Sequence, residues 1–284
     1  MGIRRTTVTE ASISKKWSEG FGQGCISTYK PWETVQSFSS KGNSHRVHST
    51  KTGRTHHLFS NIERALFLKA EYGESFIDFQ EQRAMEREHT LAIAEVLKIK
   101  HPVYVGTQIP FVMTLDAVVV RRGPDRTEFC EAYDAKEASA LIDSRVLEKL
   151  SIHKAYCEQR GWRHTIVTNE TISREVIRNL EWIRMGAAKP GEVEPVVGLF
   201  EELPERMLAS LKTKGSRRPI NQYCAEFDRS HGLPGGAALR VLQILLWRHD
   251  LSTSLSGALI HLRPVSSLEA RKPSVGQFAL RLVA

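Results

Sequence analysis

Three apolar segments of strand length dominate the middle of this chain and constrain its fold more than any other feature. Residues that favour strands fill them, and the Gly and Pro of GPDR between the second and third segments are typical of a hairpin turn. A helical pattern follows, and then a fourth strand. The predicted strands are 103–109, 112–121, 128–136 and 162–169, and the predicted helix is 144–160. A hairpin extended by a strand-helix-strand crossover predicts an α/β fold with a mixed sheet flanked by helices.

The residues before these segments predict a helix, a strand and a second helix. Ser60 or Asn61 can cap the first helix, and Gly73 can end it. A short strand over 76–80 and a helix over 87–98 are expected next. The chain up to residue 57 is rich in Gly, Ser, Thr and His and shows little periodicity, except for a short helix predicted near 12–19.

The last third of the chain is predicted to be mostly helical. A helix over 173–186 precedes a linker with three prolines, and helices over 205–211, 220–229 and 237–249 come after it. The last two, separated by HGLPGG, fit a helix-turn-helix, and residues 251–264 fit the hairpin of a winged helix. The predicted parts are an N-terminal arm (1–57), a catalytic domain (58–186), a linker (187–204) and a winged-helix-like domain for partner or DNA binding (205–284).

The charge of the chain is concentrated near its start. The formal net charge of the 284 residues is +8, and residues 1–57 hold nine Lys and Arg against three Glu. We therefore expect this arm to contact DNA phosphates, with Lys41, Arg46, Lys51 and Arg54 as the contacting residues. The alternative is a solvated tail.

The sequence contains no apolar run of the length that spans a membrane and no signal peptide at its start, so we expect a cytoplasmic protein that is nucleoid-associated when it acts. Its four cysteines show no spacing typical of a disulfide framework or a zinc site.

Charged residues inside the apolar strands are the candidates for chemistry, because an unpaired buried charge costs several kcal/mol. Asp116 interrupts VMTLDAVVV, and Asp134 and Lys136 end the next strand on a common face. Glu63 lies on or beside the buried face of the preceding helix. If the two strands are neighbours in a hairpin, these side chains can converge on one cation site.

Three acids and a lysine are the residue types of metal-assisted phosphodiester hydrolysis, since carboxylates hold Mg²⁺ and a lysine can act at the phosphate. The predicted metal ligands are Glu63, Asp116, Asp134 and Ala135, for one or two Mg²⁺ ions that Mn²⁺ can replace. In spacing, the four charged residues match the E…D…(D/E)-x-K signature of restriction-endonuclease-like nucleases. The alternative is an ordinary ion pair of Asp134 and Lys136 at the end of a strand.

Several motifs resemble TnsA, the endonuclease subunit of Tn-seven-type heteromeric transposases. They are EGFGQG, YKPWETVQ, SHRVHSTKTGR, THHLFSNIE, IKHPV, TLDAVVV, DAK, LEKL and NLEWI, in this order, and the resemblance fades beyond about residue 190. By this resemblance, Glu63, Asp116, Asp134 and Lys136 fall on the family's catalytic positions. Asp134 departs from the pattern, because a known member has an amide there, and this difference bears on the ligand set.

The resemblance implies a DNA endonuclease that cuts the 5′ strands at transposon ends. It also implies a DDE transposase that cuts and joins the 3′ ends, an AAA+ ATPase regulator that contacts the C-terminal domain, and cut-and-paste movement of the element. The alternatives are a stand-alone repair or restriction nuclease and a non-catalytic DNA-binding assembly factor.

Overall fold

A four-stranded mixed sheet forms the centre of residues 1–172, one of the two units into which the chain divides; the other comprises residues 173–284. The computed structural model describes residues 8–37, 43–189, 191–213 and 217–271. The elements of the first unit are α1 (Glu10–Ser18), β1 (His45–Ser49), β2 (Arg54–Leu58), α2 (Asn61–Tyr72), β3 (Phe76–Ala84), α3 (Arg87–Val96), β4 (Thr114–Arg122), β5 (Glu128–Lys136), α4 (Ser144–Gln159) and β6 (Arg163–Thr168).

The sheet confirms the predicted α/β fold and its mixed strand directions. Its order is β3-β4-β5-β6; β3 and β5 both run antiparallel to β4, whereas β6 runs parallel to β5. Helix α4 makes the crossover between the two parallel strands, and its N-terminus is capped by Asp143, which accepts the N–H of Arg145 at 2.7 Å. A buried apolar cluster, which includes Val118, Ala132 and Ile152, joins the two central strands to α4.

The strand predicted over 103–109 was wrong. The structure shows only an isolated bridge between Val103 and Pro110, and the chain turns back on itself between them, with the N–H of Tyr104 donating to the carbonyl of Ile109 at 3.0 Å. Gly106 has a φ of 77° in this turn. Flanking prolines lack the N–H that a ladder needs, and a glycine at positive φ favours a turn, so the apolar side chains do not form a strand here.

The part of the segment 1–57 that the structure describes packs on the sheet and is not a detached arm. Helix α1 is present where a helix was predicted, and Thr9 caps it. Trp32 and Ile13 are buried in a cluster with Ala84, at the end of β3, and Val112, just before β4. Strands β1 and β2 form a hairpin that the sequence did not predict. Apolar contacts with the sheet therefore fix this segment to the first unit.

The second unit is mostly helical, as predicted, and is built around one buried helix. Its elements are α5 (Arg174–Arg184), α6 (Glu202–Thr213), α7 (Ile220–Ser230), α8 (Ala237–Trp247), β7 (Leu251–Ser252) and β8 (Glu269–Ala270). Helix α8 contacts α5, α6 and α7, and each of its residues is buried or half-buried. A recognition helix must expose side chains to a DNA groove, so this burial does not favour α8 as one, and the helix-turn-helix stays a prediction.

The hairpin predicted over 251–264 was also wrong in its bounds, because β7 pairs with β8 at 269–270. Between them the chain forms short 3-10 helices at Ile260–Leu262 and Val265–Ser267. The amide of buried Asn179 donates to the carbonyls of Leu255 and Ala258 and accepts the N–H of Ile260. These backbone groups are satisfied by a side chain of α5, so they need no partner strand.

No helix among the described residues is long and apolar enough to cross a membrane.

Candidate active site

The end of β5 and the start of β4 meet at one edge of the sheet, where three of the four predicted charged residues lie. The carboxylate of Asp116 accepts the N–H of Ala135 at 2.7 Å and a proton of the Lys136 ammonium at 2.7 Å. The ammonium also lies 3.7 Å from Oδ1 of Asp134. Asp116 and Asp134 sit on neighbouring strands, one position beyond the last antiparallel pair of β4 and β5. The antiparallel register therefore brings Asp116, Asp134 and Lys136 together, as predicted from the period of two in a strand.

Glu63 reaches the same group of charges from the first turn of α2. Ser60 caps this helix, and the Glu63 carboxylate accepts the N–H of Phe59 at 2.9 Å and the hydroxyl of Ser60 at 3.2 Å. Only 5% of Glu63 is exposed. Burial first, and then the negative charge of Asp116, raises its pKa to about 8, against the opposing effect of these hydrogen bonds and of Lys136. Burial and Asp116 disfavour the ionised form of Glu63, and a cation beside the carboxylate would stabilise that form.

Lys136 is held in its charged form. Burial alone would lower the pKa of the ammonium, but the carboxylates of Asp116, Asp134 and Glu63 raise it above its usual value. An ammonium has three N–H donors, and Asp116 takes one of them.

Asp134 is completely buried and is bound by two histidines. Its Oδ2 accepts Nδ1–H of His153 at 2.8 Å and Nε2–H of His164 at 2.7 Å. Burial alone would raise the pKa of this carboxyl, but His153, His164 and Lys136 together lower it. Oδ1 is buried and has no hydrogen-bond partner among the described residues.

The sequence placed His153 on the helical pattern of α4 but assigned it no role, and it gave none to His164. His164 pairs with Ala132 across the parallel strands and so lies on the face that carries Asp134. The role of His164 could have been predicted from Asp134, because a buried aspartate needs a hydrogen-bond donor and His164 lies on the same face of the sheet.

The donor set fits a divalent cation. Carboxylate oxygens are the ligands that Mg²⁺ and similar hard cations prefer, and the unpartnered Oδ1 of Asp134 is a buried acceptor beside Asp116 and Lys136. Ala135, the fourth predicted ligand, can offer only its backbone oxygen, and its N–H is already bound to Asp116. A second possible set is Asp134 with His153 and His164, whose donor atoms lie within 4.8 Å of one another.

The four residues predicted to contact DNA differ in their exposure and in their partners. Arg46 is exposed on β1, and Lys41 lies outside the described residues. Lys51 donates to the carbonyl of Glu71 at the end of α2. Arg54 is committed to the interior: its side chain is 9% exposed, and it binds the buried carboxylate of Glu81 at 2.8 and 2.9 Å. Arg54 is therefore removed from the DNA-binding set, because a contact with DNA would break this ion pair to a buried carboxylate.

A mixed sheet flanked by helices, with acids and a lysine gathered at one edge, defines an endonuclease of restriction-endonuclease-like fold. Comparison with known proteins agrees. Residues 73–169 match the family described as TnsA-like endonuclease N terminal, and residues 171–255 match TnsA endonuclease C terminal. The chain is 34% identical over 251 residues, 86% of each chain, to the Escherichia coli protein "Transposon Tn7 transposition protein TnsA". The chain belongs to the TnsA family and is a DNA endonuclease of Tn7-type transposition.

Proposed function

We propose that the chain is a Mg²⁺-dependent endonuclease that cuts the 5′ strands at transposon ends, and that Mn²⁺ can replace Mg²⁺. In this proposal a DDE transposase cuts and joins the 3′ strands and an AAA+ ATPase regulates the complex, so that the element moves by cut-and-paste. The observation that carries the proposal is the group of Glu63, Asp116, Asp134 and Lys136 at one edge of the sheet, in a chain of the TnsA family.

In this proposal the acids and the lysine have different roles. Glu63, Asp116, Asp134 and the carbonyl of Ala135 would hold one or two divalent cations, which when bound would supply charge to offset the scissile phosphate and to acidify the attacking water. Asp116 orients the ammonium of Lys136 through their 2.7 Å contact. The remaining donors of that ammonium bind a phosphate oxygen and stabilise the negative charge that develops there.

DNA is held by charge outside the catalytic edge. Arg46 projects from the β1–β2 hairpin, and Lys41 precedes this hairpin in the chain. Phosphate contacts of this kind position a duplex without reading its sequence, so the recognition of transposon ends falls to the partners.

We propose that the C-terminal unit, residues 173–284, binds partner proteins. Its most apolar helix, α8, is enclosed by the unit itself, which leaves the faces of the other helices for contact. Helix α7 presents Gln222, Ala225, Glu226 and Arg229 as an exposed polar face.

The test is Asp116→Asn on transposon-end duplex in which each strand is labelled separately, with the two partner proteins present. We expect cutting of the 5′ strand to fall by about 1,000-fold, the effect of losing about 4 kcal/mol of charge stabilisation, while 3′ cutting continues. Glu128→Gln is the matched control, because Glu128 is an exposed acid at the opposite end of β5. An unchanged melting temperature shows that the variant folds.

Wild-type cutting by Asp116→Asn would refute the proposed site. Equal cutting of any duplex by the wild-type chain without partners would favour the stand-alone nuclease.

A further inference from the structure

The two histidines bound to Asp134 are not among the predicted nuclease residues, and their role needs a separate explanation. His153 comes from α4 and His164 from β6, the two elements that follow Asp134 in the strand-helix-strand crossover. Both direct one ring nitrogen to the same oxygen, Oδ2, at 2.8 and 2.7 Å. His153 is 7% exposed and Asp134 is fully buried, so water does not compete for these bonds.

These bonds make the two oxygens of one carboxylate unequal. Two N–H donors occupy Oδ2, whereas Oδ1 is equally buried, lacks any hydrogen-bond partner in the described structure and lies 3.7 Å from the Lys136 ammonium. Leaving a buried acceptor unpaired costs about 1–3 kcal/mol, and more for a charged group. The cost is offset when a cation binds that oxygen, and Oδ1 is the oxygen of Asp134 that lies beside Lys136, which also contacts Asp116.

We propose that His153 and His164 are positioning residues that make Asp134 a one-oxygen ligand of the catalytic cation and so favour Mg²⁺ over Ca²⁺. Mg²⁺ requires nearly ideal octahedral geometry and takes one oxygen from each carboxylate, whereas Ca²⁺ is larger and binds carboxylates through one or both oxygens. Because the two histidines occupy Oδ2, a cation can bind Asp134 only through Oδ1. This inference rests on the proposed function, because it assigns Asp134 to the same metal site.

The test uses amide side chains that differ only in where they place the donor. An asparagine amide nitrogen falls near the position of histidine Nδ1, and a glutamine amide nitrogen falls near that of Nε2. His153→Asn and His164→Gln therefore keep the donor in register, whereas His153→Gln and His164→Asn displace it by about one bond. All four variants replace an imidazole with a neutral amide, so the two pairs are matched in polarity.

The measurement is calorimetric titration of the full chain with MgCl₂ and with CaCl₂ in the absence of DNA. We expect the displaced-donor variants to lose about tenfold or more in Mg²⁺ affinity, the effect typical of losing a residue that orients a metal ligand, and to lose less in Ca²⁺ affinity. The preference for Mg²⁺ over Ca²⁺ therefore falls. The in-register variants keep both affinities within about threefold of the wild-type chain.

Three results would overturn the inference. Equal Mg²⁺ affinities for all four variants and the wild type would mean that the histidines do not orient the ligand. Equal losses in both pairs would mean that packing of the imidazoles, not donor position, matters. One equivalent of Zn²⁺ bound by the wild type and lost in every variant would mean that Asp134, His153 and His164 are themselves a metal site. A wild-type chain that binds no Mg²⁺ and cuts no DNA would instead count against the proposed function.

Discussion

Replacement of Glu63 by glutamine should stabilise the metal-free protein, and more so as the pH rises. The folded protein raises the pKa of Glu63 from its ordinary 4.5 to about 8. Stability from a raised pKa is complete below pH 4.5 and is lost as the pH rises toward 8, because the unfolded chain gives up the proton first. Each pH unit in this window costs the wild type about 1.4 kcal/mol, which amounts to about 3 kcal/mol at pH 7. Glutamine does not titrate and avoids this loss.

The assay is denaturant unfolding of the wild type and Glu63→Gln at pH 5, 6, 7 and 8 with a chelator present. The glutamine amide oxygen can still accept the N–H of Phe59, so the local hydrogen bond is kept. We expect the difference in unfolding free energy, variant minus wild type, to increase steadily with pH. Glu128→Gln, an exposed acid of the same unit, is the control and should show no such trend. A difference that is constant across this range would refute the reasoning.

Mg²⁺ should reverse the order of stability, because the cation requires the ionised form of Glu63. A carboxyl with a pKa raised to about 8 is mostly protonated at pH 7, so cation binding should release a proton from this residue. Titration in buffers of different ionisation enthalpy measures the protons released, and Glu63→Gln should release about one fewer. Equal release by the two proteins would show that Glu63 is not a ligand.

Three further changes test the proposed roles of Lys136 and Arg46 and the packing of the second unit. Lys136→Ala should abolish cleavage while Mg²⁺ affinity measured by calorimetry stays equal or rises, because a competing cation has been removed; a large fall would make the lysine structural. Arg46→Ala should flatten the dependence of log K on log salt by about 0.9, whereas Arg126→Ala on the β4–β5 turn should not; equal slopes would exclude a phosphate contact. Gly186→Ala should cost about 2 kcal/mol or more on thermal unfolding, since a Cβ there would lie 2.2 Å from a backbone oxygen of α8. Gly235→Ala, with open space around it, should cost less.

The grouping of charged residues at one edge of the sheet was predictable because it depends on local rules. Alternation along strands fixes which side chains share a face, and a hairpin fixes which residues oppose each other, so Asp116, Asp134 and Lys136 follow from sequence once the strands are right. The histidines on Asp134 depend on how α4 lies over the sheet and on the parallel register of β6. Neither the helix orientation nor that register is encoded in local periodicity.

The assignment of Arg54 to DNA failed because the predicted strand ended too early. With β3 ending at residue 80, Glu81 lay outside a strand and raised no question of burial. In the structure β3 continues to Ala84, and Glu81 is a completely buried acid in mid-strand, as anomalous as Asp116 in β4. A buried acid recruits the nearest flexible cation, and Arg54 on the unpredicted hairpin supplies it.

Glu81 and Asp134 are both buried carboxylates, but their hydrogen bonds differ in a way that bears on the proposed metal site. Both are fully buried; Glu81 binds the imidazole of His56 and the guanidinium of Arg54, and Asp134 binds two imidazoles beside the Lys136 ammonium. Despite burial, His56 and Arg54 lower the pKa of Glu81 to about 2, and each of its oxygens accepts two hydrogen bonds. The hydrogen-bond acceptor positions of the Glu81 carboxylate are therefore filled, and none is left for a ligand. In Asp134, Oδ2 accepts two hydrogen bonds, whereas Oδ1 accepts none from the described part of the chain and lies 3.7 Å from the Lys136 ammonium. Because a buried oxygen without a hydrogen-bond partner destabilises the folded chain, this asymmetry needs an explanation, and the cation that we propose beside Asp134 supplies one.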